Sequence, residues 1–235
     1  MIRTLERTYK EREQEVQIYI SMLEKLNDID VFSPSDINSI DMHGNAFSFQ
    51  LSNTDLQICR ASFYLILYNL VEATTNEIIK EVTETISSEG LEINQLTPKI
   101  RNLYIDSLIG EKESKNKILS IVHDLVKDSI DCKKIEIEDI CINISGNVNY
   151  EFINKLIASI GCTGRLSVDK DALSDAMNRT KEYRNKLAHG NLSFVEVGRS
   201  RTIQDLRKDY NIVTKYLEDV IKNCVKYLDD KKYLV

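Results

Sequence analysis

Apolar residues along this chain recur mostly at spacings of three and four, the period of a helix with one buried face. Between Thr4 and Asp28 they fall at Val16, Tyr19, Ile20, Leu23 and Leu26, and predict a first amphipathic helix. Residues 29–53 break the rhythm. Pro34, Gly44 and several Ser, Asn and Asp predict mostly loop there, with an alternating Ala46, Phe47, Phe49, Leu51 patch that suits a short strand or extended packing. A long helix to about Ser87 follows, capped by Asn53, Thr54 or Asp55 and dense with Phe63, Leu65, Ile66, Leu67, Leu70 and Val71, so it is the expected centre of the core. Pro98 suits the first turn of a helix reaching about Ile109. Further helices are expected over 114–129, over 149–160 with Gly161 and Gly164 as stops, over 169–189 and over 202–229, the last with Thr202 and Asp205 as a variant capping box. Residues 135–144, IEIEDICINI, alternate as a small hairpin or strand pair would. The expected architecture is all-α: a helical bundle forming a single domain over residues 1–235, with room for a small β-hairpin insertion near residues 135–144.

Composition supports helices over sheet. With 42% hydrophobic and 29% charged residues the chain has the balance of a folded soluble protein, and its 2 Pro and 8 Gly are too few to punctuate a many-stranded β fold. The longest apolar stretch, Ile58 to Ala73, is too short to span a bilayer and contains Arg60, Asn69 and Glu72. Met1 to Arg12 alternates charged with apolar residues, unlike a secretory signal. Five cysteines, an odd number without CxxC spacing, argue against a disulfide framework or a zinc site and suit a reducing cytoplasm; no metal and no cofactor are expected.

The net charge of -6 is unevenly spread. Residues 179–208 hold eight Lys or Arg against three acids, while residues 1–178 carry a net -11. The basic stretch is either a solvated helix face or a surface for phosphate.

Within it, residues 169–190 read DKDALSDAMNRTKEYRNKLAHG. Leu173, Ala176, Thr180, Tyr183 and Leu187 form one core-facing stripe, and Asn178, Lys181, Glu182, Asn185 and His189 lie on another face. Gly190 is placed to end the helix with a left-handed cap, which puts His189 in its last turn. Arg184 and His189 are separated by five positions, roughly 140° around a regular helix. They meet only if the last turn loosens, if the arginine wraps round, or if a second copy completes the site across a two-fold axis, and the third arrangement explains most.

Arg184-Asn185-Lys186-Leu187-Ala188-His189 fits the arginine, polar residue, three spacers, histidine signature of the HEPN superfamily, with the aromatic Tyr183 at its usual apolar position. The stretch HGNLSFVEVGRSRTIQDL that follows resembles the MAE-type HEPN-like nucleases of prokaryotic conflict systems. The resemblance implies a helical domain that homodimerises in the cytoplasm and cuts RNA without metal as a toxin or antiphage effector, leaving a 2',3'-cyclic phosphate. Partners would be RNA and a protein antitoxin or another defence-system subunit, with no membrane. His189 would act as acid or base, since imidazole titrates near neutrality. Arg184 would stabilise charge on the phosphorane, and Asn185 would orient the histidine or the phosphate. The position two after His189, which in some relatives is a tyrosine modified to silence the toxin, is Asn191 here, so a different inhibitor is expected.

Other residues enter as supporting candidates. Asn69, Glu72, Asn76 and Lys80 make a polar stripe on the hydrophobic long helix, which must face solvent or another polar surface; Glu72 and Asn69 are candidates to reach the Arg184 cleft. Lys181, Lys186, Arg199, Arg201 and Arg207 are candidates for holding RNA phosphates, or are solvated surface charge. His43 and His123 are isolated and read as surface or loop histidines. Two other readings compete with the nuclease. One is a catalytically silent module of the same fold that binds a partner protein or a nucleotide. The other, a DNA-binding regulator, is poorly supported because the last two predicted helices lack a short Gly-containing turn between them.

Overall fold

A computed structural model describes residues 3–28, 37–40, 46–49, 51–109, 115–135 and 148–235. Eight helices lie among them: α1 (Thr4–Asn27), α2 (Asn53–Ser88), α3 (Pro98–Ile109), α4 (Lys115–Ile130), α5 (Tyr150–Ile160), α6 (Lys170–Ala188), α7 (Phe194–Arg199) and α8 (Ile203–Asp229). The region expected to be mostly loop contains a two-stranded antiparallel hairpin, β1 (Ile37–Ile40) with β2 (Ala46–Phe49), in the register Ile37 to Phe49 through Ile40 to Ala46. The alternation seen from residue 46 thus finds a partner strand upstream. The hairpin expected over 135–144 lies, apart from Ile135, outside the described residues, as does His43.

The long helix is the hub. Phe63, Tyr64, Leu67, Tyr68, Leu70 and Val71 are buried in its first half, and Ile78, Val82 and Ile86 continue the apolar face. α1, α6, α7 and α8 all pack on it. α8 supplies the opposing face with Leu206, Val213, Tyr216, Leu217, Val220 and Cys224, and α1 closes the core with Leu5, Val16, Ile20 and Leu23. α4 stands apart: Leu119, Val122, Val126 and Ile130 remain exposed along it.

Caps fix where the helices begin. Ser52, one residue before the expected candidates, caps α2: its hydroxyl accepts from the Asp55 amide, and Asp55 accepts from the Ser52 amide at 2.9 Å. The same reciprocal box recurs as Ser193 with Glu196 on α7 and Thr202 with Asp205 on α8. Because α7 is only six residues long, its hydrophobic period is too short to read, and the sequence alone suggests a loop there. Gly198 is why this short helix can lie on α2. A Cβ at that position would sit 1.8 Å from the Gln57 carbonyl oxygen, so only glycine permits this approach of the two backbones.

Two outcomes follow for stability. Gly198→Ala should destabilise the fold by at least about 2 kcal/mol, as overpacking against rigid backbone does. That lowers the calorimetric Tm by roughly 5 °C or more in a chain of this size; an unchanged Tm would mean that α7 is not seated on α2. The hydrogen bonds of the capping boxes hold the Asp55, Glu196 and Asp205 carboxyls below their usual range. A depressed folded-state value stabilises the fold above the ordinary carboxylate range, about 4, and that contribution is lost as pH falls through the folded values. Urea midpoints measured from pH 6 to pH 3 should therefore drop, and should drop less in a variant carrying Asp55→Asn, Glu196→Gln and Asp205→Asn.

Candidate active site at the end of helix 6

The helix that carries the motif is specified at both ends. Asp169 caps its start by accepting from the Ala172 amide at 2.9 Å. Leu173, Ala176, Met177, Thr180 and Leu187 are buried along one stripe, and the Thr180 hydroxyl returns its proton to the Ala176 carbonyl. At the far end the Asn191 amide donates to Lys186 O at 2.8 Å and the Gly190 amide to Leu187 O at 3.2 Å, with Gly190 at φ +68. These bonds make the paired terminus of a Schellman motif, so the left-handed stop expected at Gly190 is present. His189 is the C-cap, with φ -95 and ψ 2, already outside regular helical geometry.

What sets the rotation of this helix is a buried carboxylate. Asp209 on α8 is fully buried, and Arg179 grips it in fork fashion: Nε donates to Oδ2 at 2.9 Å and Nη2 to Oδ1 at 2.6 Å. Tyr64 on α2 donates its hydroxyl to Oδ2 at 3.0 Å, and Arg201 Nε in turn donates to that hydroxyl at 3.2 Å. Burial, reinforced by the Asp209 charge, pushes the Tyr64 phenol up and keeps it a donor. The hydrogen bond to Asp209 raises the Arg179 guanidinium in spite of partial burial. The Tyr64 ring also meets Tyr183 at 4.8 Å between centroids. Sequence reasoning missed this network. The signal was present: Asp209 sits within the buried run Leu206, Tyr210, Val213 of α8.

The motif side chains take up three environments. Arg184 is half-buried; its Cζ lies 4.7 Å from the centroid of the Tyr68 ring, and its Nη1 donates to Asn185 Oδ1 at 2.9 Å. Asn185 therefore orients the arginine, a role the sequence had assigned toward the histidine or the phosphate. His189 is exposed, and its imidazole has no hydrogen-bond or ionic partner among the described residues. Glu72 is half-buried one turn beyond Tyr68 on α2, while Asn69 is exposed. Burial raises the Tyr68 phenol; the hydrogen bond from the Val148 amide and the Arg184 charge oppose the rise, and the Glu72 charge adds to it.

The basic residues divide. Lys186 pairs with Glu182 at 3.4 Å on the helix surface, Lys181 is half-buried, and Arg199 is exposed. Arg201 and Arg207, both candidates for phosphate, are paired with carboxylates of the chain itself. Arg201 Nη2 lies 3.7 Å from Asp205 and from Asp209, and Arg207 grips Glu24 with Nε at 2.7 Å and Nη2 at 2.5 Å. Arg207 and Lys208 also line a groove of about 710 Å³ between the end of α1 and the start of α8 that includes none of the motif residues. Among the described residues no three His, Cys, Asp or Glu side chains cluster as a metal would need, and no helix is long and apolar enough to cross a membrane.

An all-α chain whose Arg-Asn-x-x-x-His motif closes a long helix against an aromatic-rich core helix has the makings of a HEPN domain. The family model described as HEPN_MAE_28990-like HEPN matches residues 1–233, and the chain belongs to that family. Comparison with curated proteins and with solved structures gave no match.

Arg179→Met should cost about 3–5 kcal/mol in chemical denaturation, because it removes the paired fork from a buried charge and leaves only Tyr64 and the more distant Arg201 against it. Adding Asp209→Leu to Arg179→Met should recover most of that loss. A single variant as stable as the wild type would remove the buried pair from its structural role.

Proposed function

We propose that this chain is an RNA endonuclease that cleaves by attack of a ribose 2'-hydroxyl on the adjacent phosphate, without metal, in a composite site formed by two copies. One observation carries the reading: near the end of α6 the Arg184 guanidinium is held by a ring and an amide, with no carboxylate partner among the described residues, and the exposed imidazole of His189 follows five positions on at the same helix end. The reaction needs a proton acceptor, a proton donor and stabilisation of the charge gathering on the phosphorane. His189 supplies acid or base catalysis, and Arg184 supplies the charge, its planar fork matching two phosphate oxygens. Asn185, accepting from Nη1, helps to hold that fork in place. Glu72, half-buried one turn beyond Tyr68 on α2, would be the polar group contributed from the earlier helix. Lys181, Lys186 and Arg199 would contact flanking phosphates. Arg201 and Arg207 would not, because their forks are already committed to carboxylates. In a cell such an enzyme acts as a toxin or antiphage effector in the cytoplasm, held in check by a partner protein.

A second reading, a catalytically silent module that binds a partner protein, draws on the exposed apolar run of α4. A digest of mixed RNA in excess EDTA separates the two. Wild type should cut and leave 2',3'-cyclic phosphate ends. His189→Ala and Arg184→Ala should each lose at least about 100-fold in rate, with unchanged circular dichroism. Cutting that stops with chelator, or that survives in both variants, would refute the mechanism; no cutting at micromolar protein would select the silent module.

A further inference from the structure

We propose that Tyr68 is the positioning residue for Arg184, its buried ring forming the platform over which the guanidinium is held and leaving the donors free for phosphate. The proposal rests on Arg184 serving the cleavage reaction above. Three further arginines of the basic stretch show the alternative. Arg179 is taken by Asp209, Arg207 by Glu24, and Arg201 by Tyr64, Asp205 and Asp209. A carboxylate satisfies a guanidinium by occupying the donors that a phosphate would need. An aromatic face instead holds the cation through its flat side and uses none of them. Of the five N–H donors of Arg184, one goes to Asn185 Oδ1, and no other has a partner among the described residues.

The platform is itself immobilised. Tyr68 is 1% exposed, and its hydroxyl accepts from the Val148 amide at 3.1 Å, so the ring cannot swing out from under the guanidinium. Asn149, the next residue, caps α5 and donates its side-chain amide to Asn178 on α6 at 3.3 Å. The ring is thereby tied both to α2 and, through the 148–149 turn, to the helix that bears Arg184. Two contacts then hold the guanidinium: the ring beneath Cζ and the Asn185 amide oxygen at Nη1.

The test compares full-length wild type, Tyr68→Phe and Tyr68→Leu, each checked for cooperative thermal unfolding. Selective arginine labelling, with Arg184→Lys to assign the signal, reads the ring-current shift on the Arg184 side chain by NMR. The shift should be present in wild type and Tyr68→Phe and absent in Tyr68→Leu. In RNA cleavage Tyr68→Phe should stay within about three-fold of the wild-type kcat, while Tyr68→Leu should lose about ten-fold in kcat with a smaller change in KM. A Tyr68→Leu protein that folds and keeps the wild-type kcat overturns the proposal, as does a Tyr68→Phe protein that falls equally far. If wild type cuts no RNA, the cleavage reading fails by itself, and the NMR shift still decides the platform: its absence in wild type overturns the positioning role, and its loss only in Tyr68→Leu upholds it.

Discussion

A carboxylate removed from water costs several kcal/mol unless charge and hydrogen bonds replace its hydration, and Asp209 is buried completely. Its compensation comes from three directions: Arg179 on α6, Tyr64 on α2, and Arg201 in the turn before α8. Such an arrangement adds little net stability over an apolar one of the same shape. Its value is specificity, because sliding α6 by one turn, about 5.4 Å, would take Arg179 away and leave the buried charge with only the Tyr64 hydroxyl and the more distant Arg201. The rotation and height of the motif helix are therefore set by a contact buried away from the motif, and Arg184, five residues further on, inherits its position from it.

The aromatic residues of α2 carry that constraint to the surface. Tyr64 and Tyr68, one turn apart, present their rings to Tyr183 and Arg184, which are consecutive on α6. Each phenol has its own polar destination: Tyr64 donates to Asp209, and Tyr68 accepts from the Val148 amide. Tyrosine suits both positions because it buries a large apolar body while its tip makes one directed bond. The same helix is thus the centre of the hydrophobic core and the floor of the candidate site, and a change to one is felt by the other.

Features of the chain that repeat locally were legible in its sequence. The amphipathic stripes of α1 and α6, the Thr202–Asp205 box that opens α8 and the glycine stop after His189 depend on residues within a turn or two of one another. What escaped depends on partners far apart in the chain. Tyr64 and Tyr68 lie in an apolar run, and only the fold reveals where their hydroxyls go. Asp209 stood in a buried stripe without an evident reason, since its partner is 30 residues away. Arg201 and Arg207 looked available for phosphate because the spacing of charges along a helix does not disclose a carboxylate approaching from another element; Glu24, which holds Arg207, lies 183 positions earlier. The helix of six residues at Phe194 offered too few turns for periodicity, although its Ser193–Glu196 box was there to be read.

The two ends of the proposed chemistry are held very differently. The guanidinium of Arg184 is fixed by a ring beneath it and an amide beside it, whereas the imidazole of His189 extends from a C-cap residue that has left helical geometry, followed by a left-handed glycine. The angle of roughly 140° that regular helix geometry imposes between them therefore binds the arginine and not the histidine. On the composite-site reading, a second copy brings its own basic helix end to the same cleft and confines the imidazole there. Because intrachain contacts already place Arg184, association of two copies has only the histidine left to order. Beyond the translational and rotational freedom that any association gives up, the side-chain ordering needed at the site then falls mainly on one short side chain with two rotatable bonds.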